Sequence, residues 1–450
     1  MLLVFALVAL VVGSLVFHFV SPWWFTPLAS NWGSIDTTIN ITFWVTGIVF
    51  VAVNLFLAYV VYRYRFSTNR RSQFEPENKK LESWLTILTA IGVSLMLAPG
   101  LVVWANFVNV PADAHTVEVV AQQWQWGFRF PGADGVLGKS DVRFVSEANP
   151  LGVDPDDANG QDDHIIDGNE LHLPIGSPVK VLIRSKDVLH NFAVPQFRVK
   201  MDAVPGLVSS LWFTPTLNGR FDILCMELCG VAHYTMRGYV VVDGQQDYES
   251  WLAEQPTFAM TQAGLIGDVQ AGEKAYQLCS SCHGAGGEGN RALNAPKLNG
   301  QSEHYLLRQL SYYRQGIRGH HPSDTLGQQM ATMAATIPDK QTMQDLVAFI
   351  GSLPLTRSTT SLAGDIDKGA ALYVSCGVCH GLQGEGRFSM RAPRLAGMPD
   401  WYLKHQLLNY RSGVRGTHAQ DNFGAQMILM ANMLRDEREI DHILAYIQTL

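Results

Sequence analysis

With 450 residues the chain is too long for one hydrophobic core and has room for about three or four folded units. Its 33 basic residues against 40 acidic ones leave a net charge of −7, which argues against a nucleic-acid partner. All six cysteines fall inside metal- or cofactor-type motifs, so none is left over for a disulfide.

Three uncharged apolar runs occupy the N-terminal part, Met1–Val20, Ile41–Tyr62 and Trp84–Phe107, each near the ~20 residues that cross a bilayer. The loop after the second carries Arg63, Arg65, Arg70, Arg71, Lys79 and Lys80, whereas Ser21–Asn40 carries only Asp36. The basic loop is therefore expected in the cytoplasm and everything after Phe107 outside. Trp23, Trp24, Trp32, Trp84 and Trp104 flank the runs, as interfacial aromatics do. The first run fits either a retained span or a cleaved signal peptide; the missing basic n-region favours retention. Residues 1–110 form the expected membrane region.

Residues 111–245 read as an all-β unit. His115–Val120, Gln122–Phe130, Val179–Ile183, Gly206–Phe213, Gly219–Leu224 and Gly238–Val242 alternate or cluster as short strands between Pro and Gly, a pattern that predicts a β-sandwich. Asp154–Asp163 is dense in carboxylates but is no EF-hand, because aligning Gly160 with the required glycine puts Pro155 at the first ligand position. A solvated acidic loop is expected there. Near the end of the unit, Cys225-Met-Glu-Leu-Cys-Gly-Val-Ala-His-Tyr-Thr-Met236 places two thiols, an imidazole and a thioether in one loop. Such ligands select soft metals, and methionine beside His and Cys points to copper rather than zinc. Cys225 and Cys229 can bridge two metal ions, and that pair needs a second imidazole. His190 is the best candidate, in Ser185–Pro195, which reads as a strand running into a loop.

A short helix around Trp251 and a linker, Pro256–Gly267, lead into an internal duplication. Cys279-Ser-Ser-Cys-His283 recurs as Cys376-Gly-Val-Cys-His380 at an offset of 97 residues, and the same offset relates Pro296 to Pro393 and Tyr305 to Tyr402. Two homologous domains are expected, 267–353 and 364–450, joined by Pro354–Ala363. Cys-x-x-Cys-His is the haem c attachment signature: the thiols of Cys279, Cys282, Cys376 and Cys379 bond the porphyrin, and His283 and His380 coordinate iron. Covalent attachment occurs outside the cytoplasm, in agreement with the topology. For the distal ligands the repeat leaves two pairs, Met330 with Met427 and Met333 with Met430; Met343 aligns with Ile440 and reads as core filling.

The copper loop together with His190 resembles the CuA centre of subunit II of haem-copper cytochrome c oxidase, and the C-terminal half resembles dihaem class I cytochromes. The resemblance implies a multidomain fold of N-terminal transmembrane α-helices, a β-sandwich cupredoxin domain and two all-α cytochrome c domains. It implies a binuclear copper centre of two Cu ions held by His190, Cys225, Cys229, His233, Met236 and the carbonyl of Glu227, and two covalent haems c. It makes Met330 and Met427 the distal ligands and gives Pro296 and Pro393 the carbonyls that orient the proximal imidazoles. Trp124, in Gln123-Trp-Gln-Trp-Gly-Phe-Arg-Phe130, matches the position of electron entry, and Glu82, ahead of Ser83-Trp-Leu-Thr86, that of a proton-channel entrance. Pro205-Gly-Leu207 stands where the family has Pro-Gly-Arg. The implied function is electron input to an oxidase, with oxygen reduced to water and protons translocated. Implied partners are subunit I, which holds haem a and the haem-copper centre, subunit III, and an upstream quinol-oxidising complex or soluble cytochrome. A Mg or Mn ion is implied at the subunit I interface, with Glu227 among its ligands. The implied location is the bacterial inner membrane, multi-pass, with the copper and haem domains periplasmic. The rival reading is a membrane-tethered copper and dihaem carrier that serves no oxidase.

Overall fold

An apolar segment in lipid must satisfy its own backbone hydrogen bonds, which a helix does. The computed structural model describes residues 1–450 except 22–24, 69, 72–75, 147–148, 167–168, 264–266, 357 and 359–360; Trp23 and Trp24 thus lie outside the described residues. The three runs form α1 (Leu2–Val20), α2 (Gly33–Arg63) and α3 (Lys79–Val108), each long and apolar enough to span a membrane. Among the described residues α1 buries only Val11, α2 only Ala58 and α3 none, so their apolar side chains face outward. α2 begins at Gly33, ahead of its apolar run. Asp36 in its first turn suits the helix dipole, and its carboxylate accepts from Arg198 Nε at 2.6 Å and Nη2 at 2.9 Å. Trp32 Nε1 donates to Trp212 O at 2.9 Å, and Trp212 Nε1 donates to Asn106 O at 3.1 Å. These bonds fix the start of α2 and the end of α3 to the domain that follows, leaving the basic loop at the opposite end of the hairpin.

That domain contains β1 (His115–Gln122), β2 (Gln125–Phe130), β3 (His164–Ile166), β4 (Glu170–Pro174), β5 (Val179–Ser185), β6 (His190–Val194), β7 (Val199–Ala203), β8 (Ser209–Phe213), β9 (Gly219–Cys225) and β10 (Arg237–Asp243). They make two five-stranded sheets, ordered β3-β2-β1-β5-β8 and β4-β10-β9-β6-β7. Val119 and Ala121 of β1, Phe192 and Val194 of β6, and Val240 and Val242 of β10 meet in one core. Four strands escape the sequence pattern. β3, β4 and β7 are short, and β6, His-Asn-Phe-Ala-Val, is buried along its whole length and shows no alternation. The segment around His190 therefore runs opposite to expectation: the strand β5 ends at Ser185, a turn follows, and His190 opens the next strand.

The acidic stretch is solvated over Pro155, Asp156, Ala158 and Asn159 but tied down at its end. Asp163 is buried, and its carboxylate accepts from Arg129 Nη1 at 2.7 Å and from the Gly138 amide at 3.0 Å. Arg129 is itself buried and reaches Glu118 at 2.8 Å. Asp157 accepts from the Lys139 amide at 2.8 Å. These carboxylates clasp the 131–140 segment to the sandwich, which composition alone does not reveal.

The expected linker is also largely docked. After α4 (Gln245–Ala253), Pro256 O accepts from Ile165 N at 3.0 Å, Phe258 N donates to Asp163 O at 2.7 Å, and α5 (Phe258–Ala263) follows. Phe258 is 1% exposed, in a cluster with Val120, Leu151, Val153 and Ile165. The repeats then form α6 (Val269–His283), α7 (Glu303–Arg314), α8 (Thr325–Ala334) and α9 (Lys340–Ser352), followed by α10 (Ile366–His380), α11 (Asp400–Arg411), α12 (Asn422–Ala431) and α13 (Glu437–Ile447). In each repeat the first helix packs on the last. A glycine allows the close crossing: a Cβ on Gly272 would collide with Asp345 O, and one on Gly369 with His442 O.

Replacing Phe258 by Ala is expected to destabilise the copper-domain fold by about 3–5 kcal/mol, the usual cost of emptying a buried phenylalanine site. It should also open the 256–263 segment to proteolysis, measured as a lower thermal midpoint and faster cleavage between the halves.

Candidate functional site

β9 ends on Cys225, and the antiparallel register that pairs Phe192 with Cys225 carries His190 alongside the loop that follows. The side chains then converge. Cys225 Sγ lies 3.7 Å from Cys229 Sγ, 3.9 Å from His190 Nδ1 and 3.2 Å from Glu227 O. Cys229 Sγ lies 3.4 Å from His233 Nδ1 and 3.9 Å from Met236 Sδ. The ligand atoms of His190, Cys225 and Cys229 all fall within 4.8 Å of one another. His190, Cys229 and Met236 are buried. The cluster thus unites two sulfurs, two imidazole nitrogens, a thioether and a carbonyl, a donor set suited to copper.

The Cys229 thiol beside Cys225 holds Cys225 well below the ordinary thiol range, to about 3, with His190 adding to the effect. Cys229 is pushed up correspondingly, because the two sulfurs share one proton and the site is buried. Asp187, which the sequence did not single out, accepts from His190 Nε2 at 2.8 Å and from the Gln123 amide at 2.7 Å. It leaves Nδ1 of His190 facing the sulfurs. Burial opposes charging His190, yet Asp187 and Cys225 together raise its pKa. Nothing in local composition marks Asp187; a carboxylate three residues before a candidate ligand is the only signal.

Trp124 is buried against the same loop. Its Nε1 donates to Cys229 O at 3.1 Å, and Gln123 Nε2 donates to the same oxygen at 2.7 Å. Gly230, at φ +119, makes this approach possible: a Cβ there would lie 2.8 Å from Gln123 Nε2 and 3.0 Å from the indole. Glu82 is elsewhere. It is exposed in the first turn of α3, about 36 Å along the helix from Asn106 at 1.5 Å per residue, and the structure does not bring it to the copper loop. The half-buried Glu227 contributes its carbonyl to the cluster.

The haem motifs close α6 and α10. His283 and His380 are buried, and their Nδ1 atoms donate to Pro296 O at 2.7 Å and Pro393 O at 2.8 Å. Burial lowers both imidazole pKa values, and the bond through Nδ1 leaves Nε2 on the other side of each ring. Cys279 and Cys376 are half-buried, Cys282 is exposed, and Cys379 is half-buried. Met330 and Met427 lie on α8 and α12, half-buried, each one residue after a glutamine. Met333 is exposed, and Met343 is a core residue beside Leu346 and Ile350.

Between the repeats lies a reciprocal cluster. Arg318 donates to Gln309 of its own repeat and to Tyr402 and Gln406 of the other; Arg415 donates to Gln406, Tyr305 and Gln309. Both guanidinium groups are buried, and the Nε of each has no partner among the described residues. Two buried cations with only neutral partners cost several kcal/mol unless an anion joins them. The carboxylates that a haem carries would meet that need, so these residues fit haem c.

The second repeat, not the first, packs on the copper domain. Val378, Cys379 and Met390 lie against the core of the sandwich, and Gln426 Nε2 donates to Trp124 O at 2.9 Å. Among the described residues it is the repeat farther along the chain, 364–450, that makes these contacts. The linker is docked through Phe258, and the chain brings 364–450 back instead.

Comparison with known proteins agrees with this architecture. Residues 115–244 match the family model for the cytochrome c oxidase subunit II periplasmic domain, and residues 269–354 and 366–450 match cytochrome c. The alternative cytochrome c oxidase subunit 2 of Bradyrhizobium diazoefficiens is 59% identical over 253 residues, which is 56% of this chain and 91% of that protein. The cytochrome c oxidase subunit 2 of Cereibacter sphaeroides is 28% identical over 228 residues, 47% of this chain and 75% of that protein. The crystal structure of reduced cytochrome c4 from Pseudomonas stutzeri is 26% identical over 41% of this chain and 100% of that one, with a TM-score of 0.34. With nearly the whole of an oxidase subunit matched at this identity, and the cytochrome model matched twice beyond it, the chain belongs to the cytochrome c oxidase subunit II family and carries cytochrome c domains on the same polypeptide.

Proposed function

We propose that this chain is the electron-entry subunit of a bacterial oxidase, holding two copper ions and two haems c and delivering electrons to subunit I. The observation that carries the reading is the convergence of six donor atoms from β6, β9 and one loop. His190, Cys225, Glu227 O, Cys229, His233 and Met236 form the copper ligand set. His283 with Met330 and His380 with Met427 form the axial pairs, and the four attachment cysteines anchor the porphyrins. The domain division follows the motifs: membrane region 1–110, copper domain 111–245, cytochrome domains 267–353 and 364–450. When bound, these groups exchange single electrons with little change in geometry.

The chain's own residues prepare that exchange. Asp187 locks the His190 ring, the loop turns at Gly230 so that Trp124 can seat on Cys229 O, and Pro296 and Pro393 hold the proximal rings. The carbonyl of Glu227, 3.2 Å from Cys225 Sγ, would be the copper ligand, and its carboxylate would then remain for a Mg or Mn ion at the boundary with subunit I. The outward apolar faces of α1, α2 and α3 support a multi-pass inner-membrane location with the copper and haem domains periplasmic. Subunit III is a further partner, and the donor is a quinol-oxidising complex or soluble cytochrome. Glu82, at the cytoplasmic end of α3, would sit at proton entry.

Metal and haem analysis of the purified full chain should give two coppers, as a mixed-valence pair by paramagnetic resonance, and two covalent haems. A single-copper spectrum or one haem per chain contradicts the reading. Replacing Asp187 by Asn should weaken copper binding by about 10–100-fold, the usual effect of losing a carboxylate that orients a ligating histidine. Titration with a competing chelator measures it, with the haem bands as an internal control.

A further inference from the structure

We propose that the two haem domains have a fixed order, in which 364–450 is the internal donor to the copper domain and 267–353 receives electrons from outside, through the surface that matches the covered face of its twin. The proposal rests on the assignment of copper and haem above and adds to it the direction of flow, a positioning residue and a docking surface.

The duplication supplies its own control. Among the described residues of the second repeat, Val378, Cys379 and Met390 pack on the copper-domain core and Gln426 hydrogen-bonds to Trp124. All four are partly buried. At the offset of 97 residues their counterparts in the first repeat are Ser281, Cys282, Leu293 and Gln329. All four of these are exposed, Leu293 by 52%. The two repeats share a fold and a motif, so the difference lies in what covers them.

Gln426 is the positioning residue. It precedes Met427 on α12, and its amide reaches Trp124 O at 2.9 Å, while Trp124 Nε1 reaches Cys229 O at 3.1 Å. A path of bonds and two hydrogen bonds therefore runs from beside Met427 to a copper ligand. Cys379, a haem attachment residue, rests on the same domain. The first repeat presents the equivalent attachment residue, Cys282, to solvent, and the apolar Leu293, counterpart of Met390, is exposed as well. A surface that seats on a redox protein in one copy and is free in the other is suited to the same class of partner, a one-electron donor protein with its cofactor edge exposed in an apolar patch. The continuity of motif and face commits the site to a protein rather than a small reductant.

Hydrogen exchange of the full chain, assembled in its oxidase, tests the surface directly, with oxidised soluble mitochondrial cytochrome c as the probe. Protection is expected at residues 278–293 and 325–333 and is expected to be lost in Leu293→Glu. Protection at 376–390 instead, or none at 278–293, overturns the proposal. Two variants then separate the steps. Leu293→Glu should slow haem reduction by reduced cytochrome c several-fold, leaving reduction by ascorbate with a small phenylenediamine mediator unchanged. Gln426→Leu should leave the cytochrome c footprint intact, loosen exchange protection around 123–125, and slow haem-to-copper transfer several-fold. Gln426→Leu with that transfer rate unchanged overturns the order. Loss of the copper or haem bands in the unmodified chain would instead contradict the cofactor assignment, while the exchange footprint would still report on the surface.

Discussion

One carbonyl oxygen, that of Cys229, accepts hydrogen bonds from both Gln123 Nε2 and Trp124 Nε1. The rest of the functional structure depends on this junction. It ties the copper loop of one sheet to the β1–β2 turn of the other, and Asp187, bonded at once to Gln123 N and His190, extends the tie to the third ligand-bearing segment. Each of these groups is hydrogen-bonded, and Trp124, His190 and Cys229 are buried, so the loop is held in place by bonds from three separate segments. The absence of a side chain at Gly230 is part of the same constraint.

On either side of the junction the chain solves an orientation problem. Toward the membrane, the Asp36–Arg198 ion pair and the Trp32–Trp212 contact at 4.8 Å between ring centroids clamp the sandwich to its helices. Toward the C-terminus, docking of Phe258 removes the freedom of a flexible linker, and the Arg318 and Arg415 cluster locks the two repeats face to face. Ordering the domains in advance avoids the entropy that a separate donor loses at each encounter.

Much of this was legible in the residues. The copper loop and the haem motifs are local in sequence, so spacing alone exposes them, and an ungapped repeat needs no structure to be seen. His190 was named because the ligand chemistry called for a second imidazole, and the fold brings it within 4.8 Å of both cysteines. What escaped was non-local. Asp187 matters through a contact with Gln123, β6 is buried on both faces and lacks period two, and the acidic stretch is dominated by one buried carboxylate whose partner, Arg129, lies on β2. The order of the haem domains could not be read from chain order, because a docked linker and a returning second repeat reverse the simple expectation that the nearer domain in sequence is the nearer in space.

The central claim is that electrons enter the copper site at Trp124, and flash-induced electron transfer from haem c to copper in a Trp124→Phe variant addresses it most directly. The account predicts a markedly slower transfer with the copper and haem spectra unchanged, since phenylalanine fills the space but loses the bond to Cys229 O. An unaltered rate would contradict it and leave Trp124 as a packing residue of the sandwich.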